Sequence, residues 1–151
     1  MSSAILKSTG KTLPKLNLRQ FGIVYARLAL GAAFLSAVAS RFGVWDRHLD
    51  MKHFAAFIQY TAEVNSFMPA SAIPFLAWIA TVAETSLGIA LIAGIWPHRV
   101  AFAAAILLAI FGTAMAIYFG LKSPMDYSVF SASAAALLVA ACHPNKSEPG
   151  L

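Results

Sequence analysis

From Pro74 to Trp96 the chain runs through 23 residues that carry a single charge, Glu84. At about 1.5 Å of rise per helical residue the run reaches about 34 Å, enough to cross a hydrocarbon core of roughly 30 Å. An ionisable group at that depth costs at least ~2.5 kcal/mol on insertion scales, so it faces a partner or a cavity. Glu84 is therefore the first place to look for function. Its expected partner is the other ionisable group deep in an apolar run, Arg27.

The rest of the chain fits a membrane setting. Hydrophobic residues make up 60% and charged residues 11%, with a mean hydropathy of +0.73. A soluble domain carries about 25% charged residues, so this surface cannot face water all round. The net charge of +5 resides in the tails and at span ends, where basic residues set topology, and no nucleic-acid partner is expected. The one cysteine, Cys142, excludes an internal disulfide and paired-thiol chemistry.

The pattern predicts an all-α membrane protein: a four-helix transmembrane bundle with an interfacial amphipathic helix between spans 1 and 2. Residues 1–20 are small, polar and basic, and are expected to be a mobile tail. The membrane domain covers residues 21–143, with spans at about 21–42, 74–96, 100–121 and 127–142, followed by a tail at 144–151. The fourth span is short for a bilayer, which puts Asp126 and His143 near the two interfaces. Ala37-Val38-Ala39 looks like a signal cleavage site, but twenty residues precede the apolar stretch and Arg27 interrupts it, so the first span is expected to stay. With the N-terminus inside, six basic residues (Lys7, Lys11, Lys15, Arg19, Arg99, Lys146) stand against four outside (Arg41, Arg47, Lys52, Lys122). Both termini are thus expected to be cytoplasmic.

Small residues recur four apart at Ala29, Ala33 and Ala37, at Gly112, Ala116 and Gly120, and at Ser128, Ala132, Ala136 and Ala140. Such stripes let helices approach closely in lipid, where hydrophobic burial drives nothing. The connection from Gly43 to Ile73 is long for a helix–helix link. Within it Met51, Phe54, Ile58 and Thr61 share one helical face, opposite Lys52, Gln59 and Glu63. This predicts an amphipathic helix near Asp50–Val64 in the outer interface, as ordinary packing or as a lid.

Arg27 and Glu84 are the candidate intramembrane ion pair. They read either as a clamp between spans or as a polar anchor for a quinone headgroup or another lipophilic ligand. Asp126 is expected to cap the fourth span. The alternative is a ligand cleft opening outward, lined by Tyr60, Asn65, Asp126 and Tyr127 and floored by Glu84. His48 and His53 are five apart and so do not share a helix face, and no metal site is expected. No cofactor is evident beyond the candidate quinone, and no catalytic residues are assigned.

At this point the residues resemble a family. Tyr25-Ala26-Arg27-Leu28-Ala29-Leu30-Gly31, Phe34-Leu35 and Arg41-Phe42-Gly43 are similar to the first span of the DoxX family of small bacterial membrane proteins. Ala83-Glu84-Thr85-Ser86-Leu87-Gly88-Ile89-Ala90-Leu91 resembles its second-span motif, acidic residue included, and Lys122 to Phe130 is similar to longer-loop members. Ser40 departs from the pattern, which has an acidic residue before Arg-Phe-Gly. The resemblance covers about residues 21–141 and implies a four-span bundle in a bacterial inner membrane. It also implies kinship with the small subunits of a thiosulfate:quinone oxidoreductase. Four-span quinone-linked thiol oxidoreductases are an architectural analogy that fails on cysteine count.

Two function classes follow. One is a non-catalytic membrane subunit or scaffold of the DoxX type, associated with membrane redox-complex subunits and holding a quinone or lipid between its helices. The other is a stand-alone enzyme or carrier that works through the Arg–Glu pair.

Overall fold

The structure is a computed structural model that describes residues 17–47 and 49–142. The tails expected at 1–20 and 144–151 fall outside it, except that the chain is already helical from Leu18; His48 and His143 also lie outside the described residues.

Among the described residues six helices follow one another: α1 (Leu18–Arg41), α2 (Met51–Val64), α3 (Ile73–Ala93), α4 (Pro97–Phe119), α5 (Lys122–Asp126) and α6 (Val129–Cys142). A single 3-10 turn, Ala70–Ala72, leads into α3. Helices α1, α3 and α4 have 24, 21 and 23 residues and are apolar enough to cross a membrane. Helix α6 is apolar but has only 14 residues, about 21 Å. These four form the bundle, and α2 lies across one end of it.

The punctuation is written in the sequence. Pro74 and Pro97 sit in first turns, where the missing N–H would be unpaired in any case. Gly94 ends α3 with φ 72°, a left-handed conformation that costs glycine little. Asp50 caps α2 by accepting the Lys52 backbone N–H at 2.9 Å.

Two close helix pairs build the bundle. In the first, Gly31 of α1 meets Gly88 of α3: a Cβ on Gly31 would lie 2.8 Å from the Gly88 carbonyl oxygen. Glycine at both positions lets the backbones touch, as small residues do in lipid. In the second, Ala101, Ala104 and Ala105 of α4 are buried in one cluster with Ala136, Val139 and Ala140 of α6. Gly112 faces the Phe130 ring, and the Ser133 hydroxyl donates to the Ala105 carbonyl at 2.8 Å. Gly112 of one expected stripe and Ala132, Ala136 and Ala140 of another thus meet their neighbours, while Gly120 and Ser128 lie outside the helices and are exposed. The α1 stripe does not, because Leu30, Gly31 and Phe34 are the buried face and Ala29, Ala33 and Ala37 are exposed.

The start of α1 and the end of α6 lie side by side. The Arg19 guanidinium donates to the Cys142 carbonyl at 2.9 Å, and His98 Nδ1 lies 2.8 Å from the Ala140 carbonyl, which it serves as donor. Both neutralise the last carbonyls of α6, which have no partner within the helix. This is the terminal end of the bundle; the other is the α2 end.

Candidate functional site

Helix α2 is held down by aromatic rings. Phe54, 2% exposed, stacks on Phe42 with centroids 5.5 Å apart and meets Trp78 of α3 at 4.4 Å. Thr61 is buried on the same face, while Ile58, Phe57 and Val64 are half-buried and Lys52 and Gln59 exposed. Met51, expected on the apolar face, is exposed. The amphipathic helix read from the sequence therefore packs on the bundle and covers part of its α2 end.

Beneath it lies the ion pair, with a different arginine from the one expected. Glu84, 2% exposed and near the middle of α3, accepts from Arg41 Nη2 at 2.6 Å. Arg41 Nη1 donates to the Thr81 hydroxyl at 3.0 Å, and the Phe57 ring of α2 lies 3.7 Å from the guanidinium carbon. Thr81 and Glu84, three residues apart, share one face of α3, so a single guanidinium serves both. Helices α1, α2 and α3 meet at this group. Glu84 Oε2 is buried with no hydrogen-bond partner. An acceptor left so costs about 1–3 kcal/mol, more when charged.

Arg27 is elsewhere. Its guanidinium packs against Gly94, at the far end of α3, and its Nε is buried without a partner. Ten residues separate Gly94 from Glu84, about 15 Å along the helix. The reason is directional: every Cα–Cβ bond in a helix tilts toward the N-terminus. Arg27 therefore reaches toward the terminal end, away from Glu84. Arg41, the last residue of α1, reaches back into the bundle. In the sequence Arg41 reads as an outer-side charge and as part of the Arg41-Phe42-Gly43 motif; the same tilt rule, applied to an arginine at the C-terminal end of a span, points it at Glu84.

Three cavities lie toward this end of the bundle, and two of them border the pair. One of about 180 Å³ lies under α2, with Arg41, Tyr60, Asn65, Phe111 and Met115 among its walls. A groove of about 240 Å³ between α1 and α6 is lined by Ala33, Ala37, Phe111, Tyr127 and Ala132, and reaches Arg41 and Glu84. A wider, open cleft of about 570 Å³ joins Tyr60 and Tyr127 beside Phe119. Arg41 and Phe111 are walls common to the first two, and Tyr127 to the last two.

Of the expected cleft residues, Tyr60, Asn65 and Tyr127 thus line these spaces and Glu84 borders the groove. The Asn65 amide donates to the Thr61 carbonyl at 2.9 Å. Burial pushes the Tyr60 hydroxyl above its ordinary range, with Tyr127 and Glu63 adding to the shift, so at neutral pH it remains a donor. Asp126 does neither job foreseen for it. It ends α5, is exposed, and pairs with Lys122 one turn back. Helix α6 begins instead after Ser128, with φ 54°. Among the described residues no three His, Cys, Asp or Glu side chains gather as metal ligands.

A helical bundle with three long apolar helices, a fourth shorter one and a charged pair in its middle defines a small polytopic membrane protein. The DoxX family model matches residues 22–119, which run from the second turn of α1 to the end of α4 and include both members of the ion pair, and the chain belongs to that family. No curated protein and no solved structure matches it.

Proposed function

We propose that this DoxX-family protein is a membrane subunit or scaffold that holds a lipophilic molecule, a quinone or a lipid, with its polar head at the Arg41–Glu84 pair. One observation carries the reading: the buried pair borders two cavities whose other walls are largely apolar. Pockets in bundles combine apolar walls with a few convergent polar groups, and an intramembrane acid serves as anchor. Family kinship supports association with a membrane redox complex, a bacterial inner-membrane location and, with the basic tail, cytoplasmic termini. An independent enzyme or proton carrier is disfavoured by the fixing of Arg41 between Glu84, Thr81 and Phe57, since a carrier needs the pair to open.

Purification in mild detergent, followed by mass spectrometry of co-purifying proteins and extracted lipids, tests the reading. A lipophilic molecule retained in near-stoichiometric amount and redox-complex subunits are expected. Protein that purifies alone and empty yet folded rejects it. Reporter fusions at residue 20, within 45–68 and after 143 test the topology, and an outer C-terminus rejects the orientation.

A further inference from the structure

Helices α1 and α6 leave two grooves between them. The one at the terminal end, about 270 Å³, is walled by Gly22, Ile23, Ala26 and Leu138, with Arg19 at its rim. The one at the α2 end has similar apolar walls, but Glu84 borders it, and Glu84 has one carboxylate oxygen satisfied by Arg41 and the other without any partner. The exposed Ala33 and Ala37 leave this groove open on the bilayer side, where larger residues would close it. Arg41 keeps its proton in proteins, and in an ion pair with it the Glu84 carboxylate is read as ionised, a form that only accepts.

We propose that the α2-end groove is a lateral binding site for an amphiphile with a hydroxyl head, which donates to Glu84 Oε2 while its chain lies between α1 and α6. This rests on the reading that a lipophilic molecule occupies the α2 end, and it specifies the chemistry of the head. A carbonyl or ether head accepts only, and so leaves Oε2 without a partner. A hydroxyl supplies the missing donor and can also accept from the free N–H groups of Arg41. Aromatic diols with long side chains and diacylglycerols share this chemistry.

The test uses the full chain in lipid nanodiscs and two photoreactive probes: hexadecanol with a diazirine near the head, and its methyl ether. Cross-linked peptides are mapped by mass spectrometry. The alcohol is expected to label Ala33–Ala37 and Val129–Ala132 about tenfold more than the ether, the discrimination a hydrogen bond to a charged group provides. The terminal-end groove serves as internal control and should take both probes alike. Ala33→Phe fills the groove from its exposed side, about two helical turns from Arg41; it should abolish the labelling and leave the melting temperature unchanged. Glu84→Gln should narrow the alcohol–ether ratio. Competition with decyl hydroquinone and with dioctanoylglycerol then names the source of the hydroxyl, and displacement by neither counts against the site. Equal labelling of the α2-end groove by alcohol and ether overturns the hydroxyl inference but leaves a lipophilic occupant. Labelling of that groove by neither probe, in protein that also purifies without lipid, overturns both.

Discussion

The two halves of the bundle use the same four helices in opposite ways. Toward the terminal end, Leu91, Ala101 and Ala104 have no exposure at all, Val139 and Ala140 almost none, and the carbonyls closing α6 are tied down by Arg19 and His98. Toward the α2 end the centre holds a charged pair, stacked aromatic rings and three cavities. Small residues bring the helices together at the terminal end, where the groove left between α1 and α6 has apolar walls and no buried carboxylate beside it, only Arg19 at its rim. Toward the α2 end Phe34, Phe111 and Arg41 line a groove that borders the buried Glu84. The terminal half thus reads as scaffold and the α2 half as site.

The largest break in this comparison comes from the ion pair. Arg41→Ala or Glu84→Ala leaves its partner buried and alone, which costs about 3–5 kcal/mol. Each is expected to lower the folded yield and the melting temperature in detergent, and the double variant Arg41→Met with Glu84→Leu to recover most of the loss. Arg27→Ala, which removes packing against Gly94 but no ion pair, should fall well below either single change. Should Arg27→Ala prove the more damaging, the assignment of Arg41 as partner is wrong.

How much of this was legible beforehand depended on which physical rule each feature obeys. Length and hydropathy determine spans, so the four-helix bundle and the lone acid at its centre could be read directly. The period of α2 was equally clear, because Phe54 and Thr61 are spaced for one face. The partner of Glu84 was missed because depth was reckoned from Cα positions, whereas an arginine side chain extends several ångströms in a direction set by the helix. Asp126 misled for another reason. A carboxylate ahead of an apolar run suggests a cap, but the chain inserts the short helix α5 and turns at Ser128 with positive φ. The α1 alanine stripe also misled, since spacing cannot say that the face with Leu30, Gly31 and Phe34 turns inward instead.

Next in size is the close approach of α1 and α3. Gly31→Val sets a side chain against the backbone of Gly88, which cannot yield as a side-chain tip can. Overpacking of this kind costs about 1–3 kcal/mol. Gly22→Val, on the same helix, meets nothing within 4 Å and should melt as the parent does. Equal melting of the two variants would remove the glycine contact from the account. Smaller still is the loss from Ser133→Ala, about 0.6 kcal/mol for an interhelical hydrogen bond in a membrane protein, again read by thermal melting.

The smallest effect separates cleft from surface. Asp126 and Tyr127 are adjacent in sequence, yet only Tyr127 borders the groove that reaches Glu84. Asp126 lies outside it, exposed, with Lys122 one turn away. An exposed pair of this spacing contributes about 0.5 kcal/mol or less, and salt screens it. Asp126→Ala is therefore expected to leave both the melting temperature and the probe labelling of the groove at parental values. Tyr127→Ala should change the labelling, because it removes a wall shared by the groove and the open cleft. If Asp126→Ala alters the labelling as much as Tyr127→Ala does, the carboxylate reaches the ligand after all and the boundary drawn between site and surface must move outward by one residue.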